Sequence, residues 1–374
     1  MNRILVLNFG GTSSKVSIYE DDKMIKNETI DYSEQENDRS STSKEQVELR
    51  TEQILEWLHK QGLSVEDIDA YAVRLGGMFY GGDGGTFLVD GKLREHIDEL
   101  YEPDRTPVHA TRLTMALVDL LQKDLKEKKP SYATDPSSIN QFLPEALVTG
   151  HPLFPKRAAF HALNQRAVAR KAASEQGKQY EDMNIIVVHA GSGVSIGAHE
   201  KGRIIDVNDS SGDGDGPFTP NRSGTLPTGQ LMHVCYSGKY TEKEVYRMLK
   251  YEGGMKAYLG IDDLREVEKR IDAGDEQAEL ILKAMAYQIS REVGACFATL
   301  CGNVDAIAIT GGMSRSDRLV ALIEERVKKI APIYRYPGEF ENEALALGAY
   351  RVLSGQEKPA VYSGEKGHIQ PITL

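Results

Sequence analysis

The sequence has no uninterrupted apolar stretch approaching the ~18 residues of a membrane span, so a membrane-embedded protein is not expected. Its opening, MNRILVLNFG, lacks a basic region, a long apolar run and a small-residue cleavage site, so it does not read as a secretory signal. Cysteine is scarce: Cys235, Cys296 and Cys301 cannot all pair, and no two are spaced CxxC. A reduced, cytoplasmic setting is expected. Positive charge is in deficit, with 45 Lys+Arg against 56 Asp+Glu and a net charge of -11. That balance disfavours a nucleic-acid partner bound by phosphate neutralisation, so anionic ligands must be met by locally placed donors. The P-loop pattern and GxGxxG are also missing. What remains is a chain of 374 residues, 40% hydrophobic and 27% charged. It can build a packed core in two or three domains at ~150 residues each.

The chain repeats itself. Residues 4–18 read ILVLNFGGTSSKVSI and residues 185–196 read IIVVHAGSGVSI. Each has four apolar residues, one polar residue, a glycine-rich turn and Val-Ser-Ile; aligned this way, the first turn is three residues longer. An apolar run, a turn and a second run predict a β-hairpin. Both hairpins continue through a charged turn, Glu20-Asp-Asp-Lys23 and Glu200-Lys-Gly-Arg203, into a third apolar stretch around Ile25 and around Ile204 and Ile205. The offset is close to half the chain, which predicts two similar halves.

Strands and helices alternate between and after these hairpins. Ser43-Lys-Glu-Gln46 reads as a capping box opening a helix with Val47, Ile54, Leu55 and Leu58 on its apolar side. Tyr71 to Gly77 reads as a strand running into a glycine turn. Thr106-Pro107 reads as an N-cap with proline at the first helical position, for a helix ending near Leu121. Residues 128–157 hold five prolines and little periodicity, and read as an inter-domain crossing. Helices are predicted at 159–176, from Thr241, from Asp262-Asp263, at 276–300, at 315–329 and at 343–353. A buried strand is predicted from Val304 to Gly312, and 211–216 is read as a flexible acidic loop. The alternation predicts an α/β architecture.

Glycine turns after strands, at Asn8 to Lys15, His189 to Gly193 and Thr310 to Gly312, can present backbone N–H groups to phosphate. Polar residues stand beside them at element ends, where α/β folds place their sites. Lys15 closes the first loop, Arg74 ends a strand, and His109 lies in the first turn of the proline-started helix. Arg222 lies in a two-proline loop.

Five segments carry a family resemblance: Asn8-Phe-Gly-Gly-Thr-Ser-Ser-Lys15, Phe160-His-Ala-Leu-Asn-Gln165, Asn184 to Gly193, Gly216-Pro-Phe-Thr-Pro-Asn-Arg-Ser-Gly224 and Thr310-Gly-Gly312. With Tyr336-Pro-Gly-Glu-Phe-Glu-Asn-Glu343 and its continuation, they resemble the butyrate kinase branch of the acetate kinase family, in matching order nearly end to end. The resemblance implies a duplicated actin-like, ribonuclease H-like α/β fold of two domains with an ATP cleft between them. The domains would be 1–156, with 343–374 packing back on it, and 157–342, carrying most nucleotide contacts. The implied reaction is butanoate + ATP = butanoyl phosphate + ADP, with butyrate or a branched relative as acid. Acetate or propionate kinase is the alternative, and a non-catalytic ATP-binding switch is a third reading.

The resemblance also implies site roles. Asn8 and Glu341 match magnesium-associated residues, so ATP with Mg2+ is expected. Ser13 and Lys15 fall in the first phosphate loop. Arg74 and Arg222 match the arginines on the carboxylate and the transferring phosphoryl group. His161 matches a transition-state histidine, Asp135 the catalytic aspartate, and His109 a histidine near the substrate. His189, Gly191, Gly193, Asp263, Arg265, Gly311 and Gly312 match nucleotide contacts. A homodimer or higher homo-oligomer is implied as well. The sequence departs from the family's usual wording at Phe9 and Gly11, at Arg112, and in the Met313-Ser-Arg315-Ser loop.

Overall fold

Ile4, Leu5, Val6 and Leu7 are all fully buried. Four consecutive apolar side chains can be hidden this way only by a strand covered on both faces. That strand, β1 (Arg3–Phe9), opens a computed structural model that describes all residues except 11–12, 32–41, 76–83, 106–111, 137–138, 211–213 and 365–374. The chain divides into two compact units: Met1–Asn140 completed by a segment beginning at Phe340, and Gln141–Glu339.

In the first unit, β2 (Ser13–Glu20) and β3 (Lys23–Asp31) follow β1 as an antiparallel meander. Then come α1 (Ser43–Lys60), β4 (Ala70–Val73), β5 (Thr86–Leu88), α2 (Gly91–Leu100), α3 (Thr114–Leu121) and β6 (Ser131–Thr134). The sheet order is β3-β2-β1-β4-β6-β5, with β1, β4 and β6 parallel. The second unit runs α4 (Pro144–Leu147), α5 (Ala162–Glu175), β7 (Asn184–Ala190), β8 (Val194–Glu200), β9 (Arg203–Val207), α6 (Thr228–Cys235) and α7 (Glu242–Lys250). It continues with α8 (Gly254–Leu259), α9 (Leu264–Asp272), α10 (Glu276–Thr299), β10 (Ala306–Gly311), α11 (Asp317–Val327) and β11 (Ile333–Pro337). Its sheet order is β11-β10-β7-β8-β9, with β7, β10 and β11 parallel. The last helix among the described residues, α12 (Glu341–Leu353), returns to the first sheet and packs on β1, β4 and β6.

Five strands of one sheet therefore match all five of the other in order and direction. Even the irregularities coincide. The register shifts between Ile18 and Tyr19 in β2 and between Ala198 and His199 in β8. Asp21 and Lys201, which open the next turns, both have positive φ, 56° and 44°. A bulge and a left-handed turn at the same place in two sheets are hard to obtain except by duplication. The register also corrects the alignment of the repeat. Phe9 pairs with Ser14, and Ala190 with Val194. The first connection is thus one residue longer, not three, and the two Val-Ser-Ile triplets are not equivalent. Asn8 and His189 are equivalent, as are their cross-strand neighbours Lys15 and Ser195.

Other expectations are displaced. The α1 cap is Thr42, whose hydroxyl accepts from the Glu45 N–H while the Glu45 carboxylate accepts from the Thr42 N–H. The box lies one residue earlier than Ser43 and Gln46, because both of those side chains are buried. The proline-rich segment is not only a crossing: Ser131 to Thr134 form a buried strand between β4 and β5. The third stretch around Ile25 is an edge strand with an exposed surface, unlike β9, where Ile204 and Ile205 are buried. The Thr106-Pro107 cap, most of the glycine turn after Tyr71 and part of the 211–216 loop lie outside the described residues.

Gly348 shows how closely α12 seats. A Cβ there would lie 2.7 Å from Thr86 Oγ1 and closer still to Thr134 Oγ1, two buried hydroxyls that bond each other at 3.2 Å. Gly348→Ala should gain about 1 kcal/mol of helix propensity and lose about 1–3 kcal/mol to overpacking. We expect a lower denaturation midpoint; a raised one would show that the threonines rotate away freely.

Candidate active site

In the first unit, the parallel strands β1, β4 and β6 end side by side, since Leu7 pairs with Val73 and Val73 with Ala133. The next residues are Asn8, Arg74 and Thr134, with Asp135 one step beyond. Carboxyl ends of adjacent parallel strands are where α/β sheets collect ligands. Buried Asn8 donates from Nδ2 to Glu341 Oε2 and to Asn342 Oδ1, both at 3.0 Å. Arg74 Nη1 donates to Glu341 Oε2 at 3.0 Å and to Asn8 Oδ1 at 3.2 Å. Glu341 stands in the first turn of α12, where the helix dipole favours its charge. Asn342 reaches Ser17 Oγ at 2.6 Å, tying the cluster to β2. Lys15 lies across the hairpin from Asn8, and Ser13 opens β2.

Asp135 is 2% exposed and has φ +40°, in the left-handed region and directly before Pro136. Such a conformation costs about 1–3 kcal/mol and persists only where its surroundings hold it. Here the Gly85 N–H donates to Asp135 Oδ1 at 2.7 Å, and the Asp135 N–H donates to the Gly85 carbonyl at 3.0 Å.

In the second unit one histidine lies near the corresponding strand end and a second stands at the start of a helix. His189 is the penultimate residue of β7 and is buried; His161 directly precedes α5. Their rings stack with centroids 3.8 Å apart and planes inclined by 8°. A Cβ on Gly193 would lie 2.5 Å from Arg222 Nη1 and 3.2 Å from His161 Cε1. Glycine is therefore required there for the guanidinium and the imidazole to close on the turn. Arg222 also donates to the Ser210 carbonyl. Its loop is held by the backbone, with the Thr219 N–H on the Arg222 carbonyl at 3.0 Å and the Arg222 N–H on Thr219 Oγ1 at 3.1 Å.

A cavity of about 600 Å³ opens beside this cluster, with Gly191, Asp263, Arg265, Gly312 and Arg315 among its lining residues. That volume lies within the range of small-ligand pockets. Asp263 caps α9, and Arg265 forks onto its carboxylate at 2.6–3.2 Å. The Arg265 hydrogen bonds hold the exposed Asp263 carboxyl below its ordinary range. Gly311 ends β10 with φ +91°, and a Cβ there would strike the Ala190 backbone.

The structure thus joins Asn8, Arg74 and Glu341 in one cluster, with Asp135 at the neighbouring strand end. In the other unit it joins His161, His189, Gly193 and Arg222. His109 and Gly11 lie outside the described residues. Arg112 is accounted for by the fold, 3.5 Å from the Leu100 carbonyl and from Glu102.

Residues 137–331 match the family described as Acetokinase family. The chain belongs to the acetokinase family. Among solved structures, its fold is similar to an acetate kinase of Porphyromonas gingivalis, at TM-score 0.77 and 18% identity, covering 95% of this chain and 100% of that one. It is similar also to a propionate kinase of Francisella tularensis, at TM-score 0.72 and 18% identity, with 93% and 99% covered. An acetate kinase of Entamoeba histolytica matches at TM-score 0.73 and 13% identity, with 93% and 98% covered. The chain has the duplicated actin-like fold, and the family makes it an ATP-dependent carboxyl-group phosphotransferase acting on a short-chain acid. Among the described residues, no helix is long and apolar enough to cross a membrane.

Sequence reasoning passed over several polar residues of this site. Asn164, Gln165, Ser195 and His199 are fully buried and hydrogen-bonded around the two histidines. The available signal was the pair of adjacent amides in Phe160-His-Ala-Leu-Asn-Gln165, followed by the alternation Ser195-x-x-x-His199 on one face of a strand.

Proposed function

We propose that this protein transfers the γ-phosphoryl group of ATP to butyrate or a branched relative. The observation that carries the transfer reading is the closure of Arg222 and His161 on the glycine turn at Gly193. Phosphoryl transfer needs positioning and charge stabilisation more than covalent help. A guanidinium fork and an imidazole against backbone N–H groups supply both. In this reading Arg222 neutralises the transferring group, and Arg74 holds the acid's carboxylate. The cavity lined by Gly191, Asp263, Arg265 and Gly312 takes the nucleoside, with His189, Gly193 and Gly311 behind it, and Ser13 and Lys15 meet phosphate. The carboxylate nucleophile is already ionised at neutral pH, so no strong base is required. Asp135 orients rather than accepts a proton.

The donor set near Asn8 suits magnesium held through water. Glu341 Oε2 and Asn8 Oδ1 both accept from Arg74, and among the described residues no three His, Cys, Asp or Glu side chains converge as a metal cage. Mg2+ keeps several waters and needs only one or two carboxylates beside substrate phosphates. Glu341 and Asn8 would hold such a hydrated ion, whose chemistry is to neutralise phosphate charge.

The chain-length preference rests on the butyrate-type wording of Phe160 to Gln165 and Pro217 to Gly224, the segments that carry His161 and Arg222. Each methylene buried is worth about 0.8 kcal/mol, so two give roughly tenfold. A hydroxamate assay for acyl phosphate with ATP, magnesium and a panel of acids should give kcat/KM for butyrate, isobutyrate or isovalerate at least about ten times that for acetate. Equal use of acetate would replace this reading with an acetate or propionate kinase. ATP binding with no acyl phosphate from any acid would mark a non-catalytic switch.

A further inference from the structure

Each of the two stacked histidines is tied to a backbone carbonyl oxygen through one amide side chain and one hydroxyl. A carbonyl has no proton to give, so the side-chain atom that meets it must be the donor. Gln165 lies within 3.1 Å of the Ser195 carbonyl, so the Gln165 atom there is the amide nitrogen. The same nitrogen donates to Ser195 Oγ at 2.7 Å. Ser195 Oγ keeps its own hydrogen to give, and His161 Nδ1, 3.0 Å away, is placed to accept it; the more distant Ser210 Oγ, 3.5 Å from the same nitrogen, gives its hydrogen to the Ala159 carbonyl. On its other side Gln165 Oε1 faces His199 Nε2 at 3.0 Å. That nitrogen carries the hydrogen, and His199 Nδ1 accepts from the Tyr180 hydroxyl at 2.9 Å. Complete burial, with Arg166 nearby, lowers the His199 pKa to about 3, which agrees with a neutral ring in the middle of the relay.

The second relay runs beside the first. Thr310 Oγ1 donates to the Gly338 carbonyl at 3.1 Å and so accepts from Asn164 Nδ2 at 3.4 Å. Asn164 Nδ2 also donates to His189 Nδ1 at 2.8 Å. Asn164 and Gln165 are consecutive in the first turn of α5, about 100° apart around the helix. One amide therefore meets β7 and β10 while the other meets β8. Gly197 makes room for this, because a Cβ there would overlap Gln165 Oε1 between Ser195 and His199.

We propose that Asn164 and Gln165 are positioning residues that hold both stacked imidazoles, His189 and His161, as the Nε2–H tautomer. Each ring is then a neutral hydrogen-bond donor at Nε2, and its Nδ1 is occupied as an acceptor. His189 Nε2 lies against the glycine turn, 3.1 Å from where a Gly191 Cβ would be. Two cations stacked at 3.8 Å would repel; two neutral donors do not. The tautomer proposal is argued from the hydrogen bonds, and its importance for turnover rests on the proposed role of His161.

The test is 15N NMR of the whole, histidine-labelled protein at about pH 7.5. His161 and His189 should each show a pyrrole-like Nε2 and a pyridine-like Nδ1. Ser195→Ala should shift the His161 tautomer ratio and leave His189 unchanged. In the same variant kcat should fall about tenfold, with KM for ATP and for the acid changed less than about twofold. An Nδ1–H or doubly protonated ring in the wild type would overturn the proposal, as would a His161 spectrum indifferent to Ser195→Ala. If Ser195→Ala does not fold, the wild-type spectrum still decides. If the spectra agree but kcat is unaltered, the relay stands and the catalytic reading of His161 falls.

Discussion

Replacing Arg222 with alanine is expected to lower kcat by about 10²-fold or more, with the affinity for ATP changed far less. The loop does not need the side chain to keep its shape. The bonds that the Arg222 N–H and carbonyl make to Thr219, and the left-handed Gly224, remain after truncation. What disappears is the guanidinium held against Gly193 and the Ser210 carbonyl. Arg222→Lys should rescue little, because an ammonium on a flexible stem cannot hold two oxygens in a planar fork. Steady-state kinetics with ATP and the preferred acid check this, and a near-wild-type kcat would remove Arg222 from the chemistry.

Asp135→Asn is expected to reduce turnover by about 10²-fold and to raise the magnesium requirement with it. The variant should fold normally, although the site is buried. Asparagine keeps an oxygen for the Gly85 N–H, and among non-glycine residues it tolerates positive φ best. The negative charge alone is lost. A magnesium titration of kcat alongside a thermal melt separates the effects. Lost activity at an unchanged magnesium requirement would favour proton transfer at Asp135 instead. A collapsed melt would show that the charge itself secures the strained turn.

The features legible in the sequence were those written locally. Four apolar residues before a glycine turn were enough to find β1 and β7. Thr241, Asp263 and Pro-free periodic stretches were enough to find α7, α9 and α10. β6 was lost because Pro130 and Pro136 bracket it, and four residues are too few to show a period. Its burial comes from β4 and β5, which no local pattern reveals. The displaced triplet alignment has a related cause: Val-Ser-Ile is a good strand sequence at either of two registers, and only cross-strand pairing chooses between them. The positive φ of Asp135 was invisible for the opposite reason, since a residue before proline is ordinarily expected to be extended. In the site, charged residues at strand ends announced themselves. The amides that set the histidines did not, because Asn164 and Gln165 look like ordinary helix residues until their partners are seen.

The return of α12 to the first sheet has a consequence for how the polypeptide is made. Leu345, Ala346 and Ala349 are fully buried, and the helix bearing them lies on β1, β4 and β6. Residues 1–140 therefore leave the ribosome with one face of their sheet uncovered. They stay so while about 200 further residues are synthesised, at 5–20 residues per second. Residues 141–339 suffer no such delay, since every strand of their sheet is contiguous in the message. The usual order of maturation is reversed: the half translated second can finish first, and the half translated first depends on a segment translated after it.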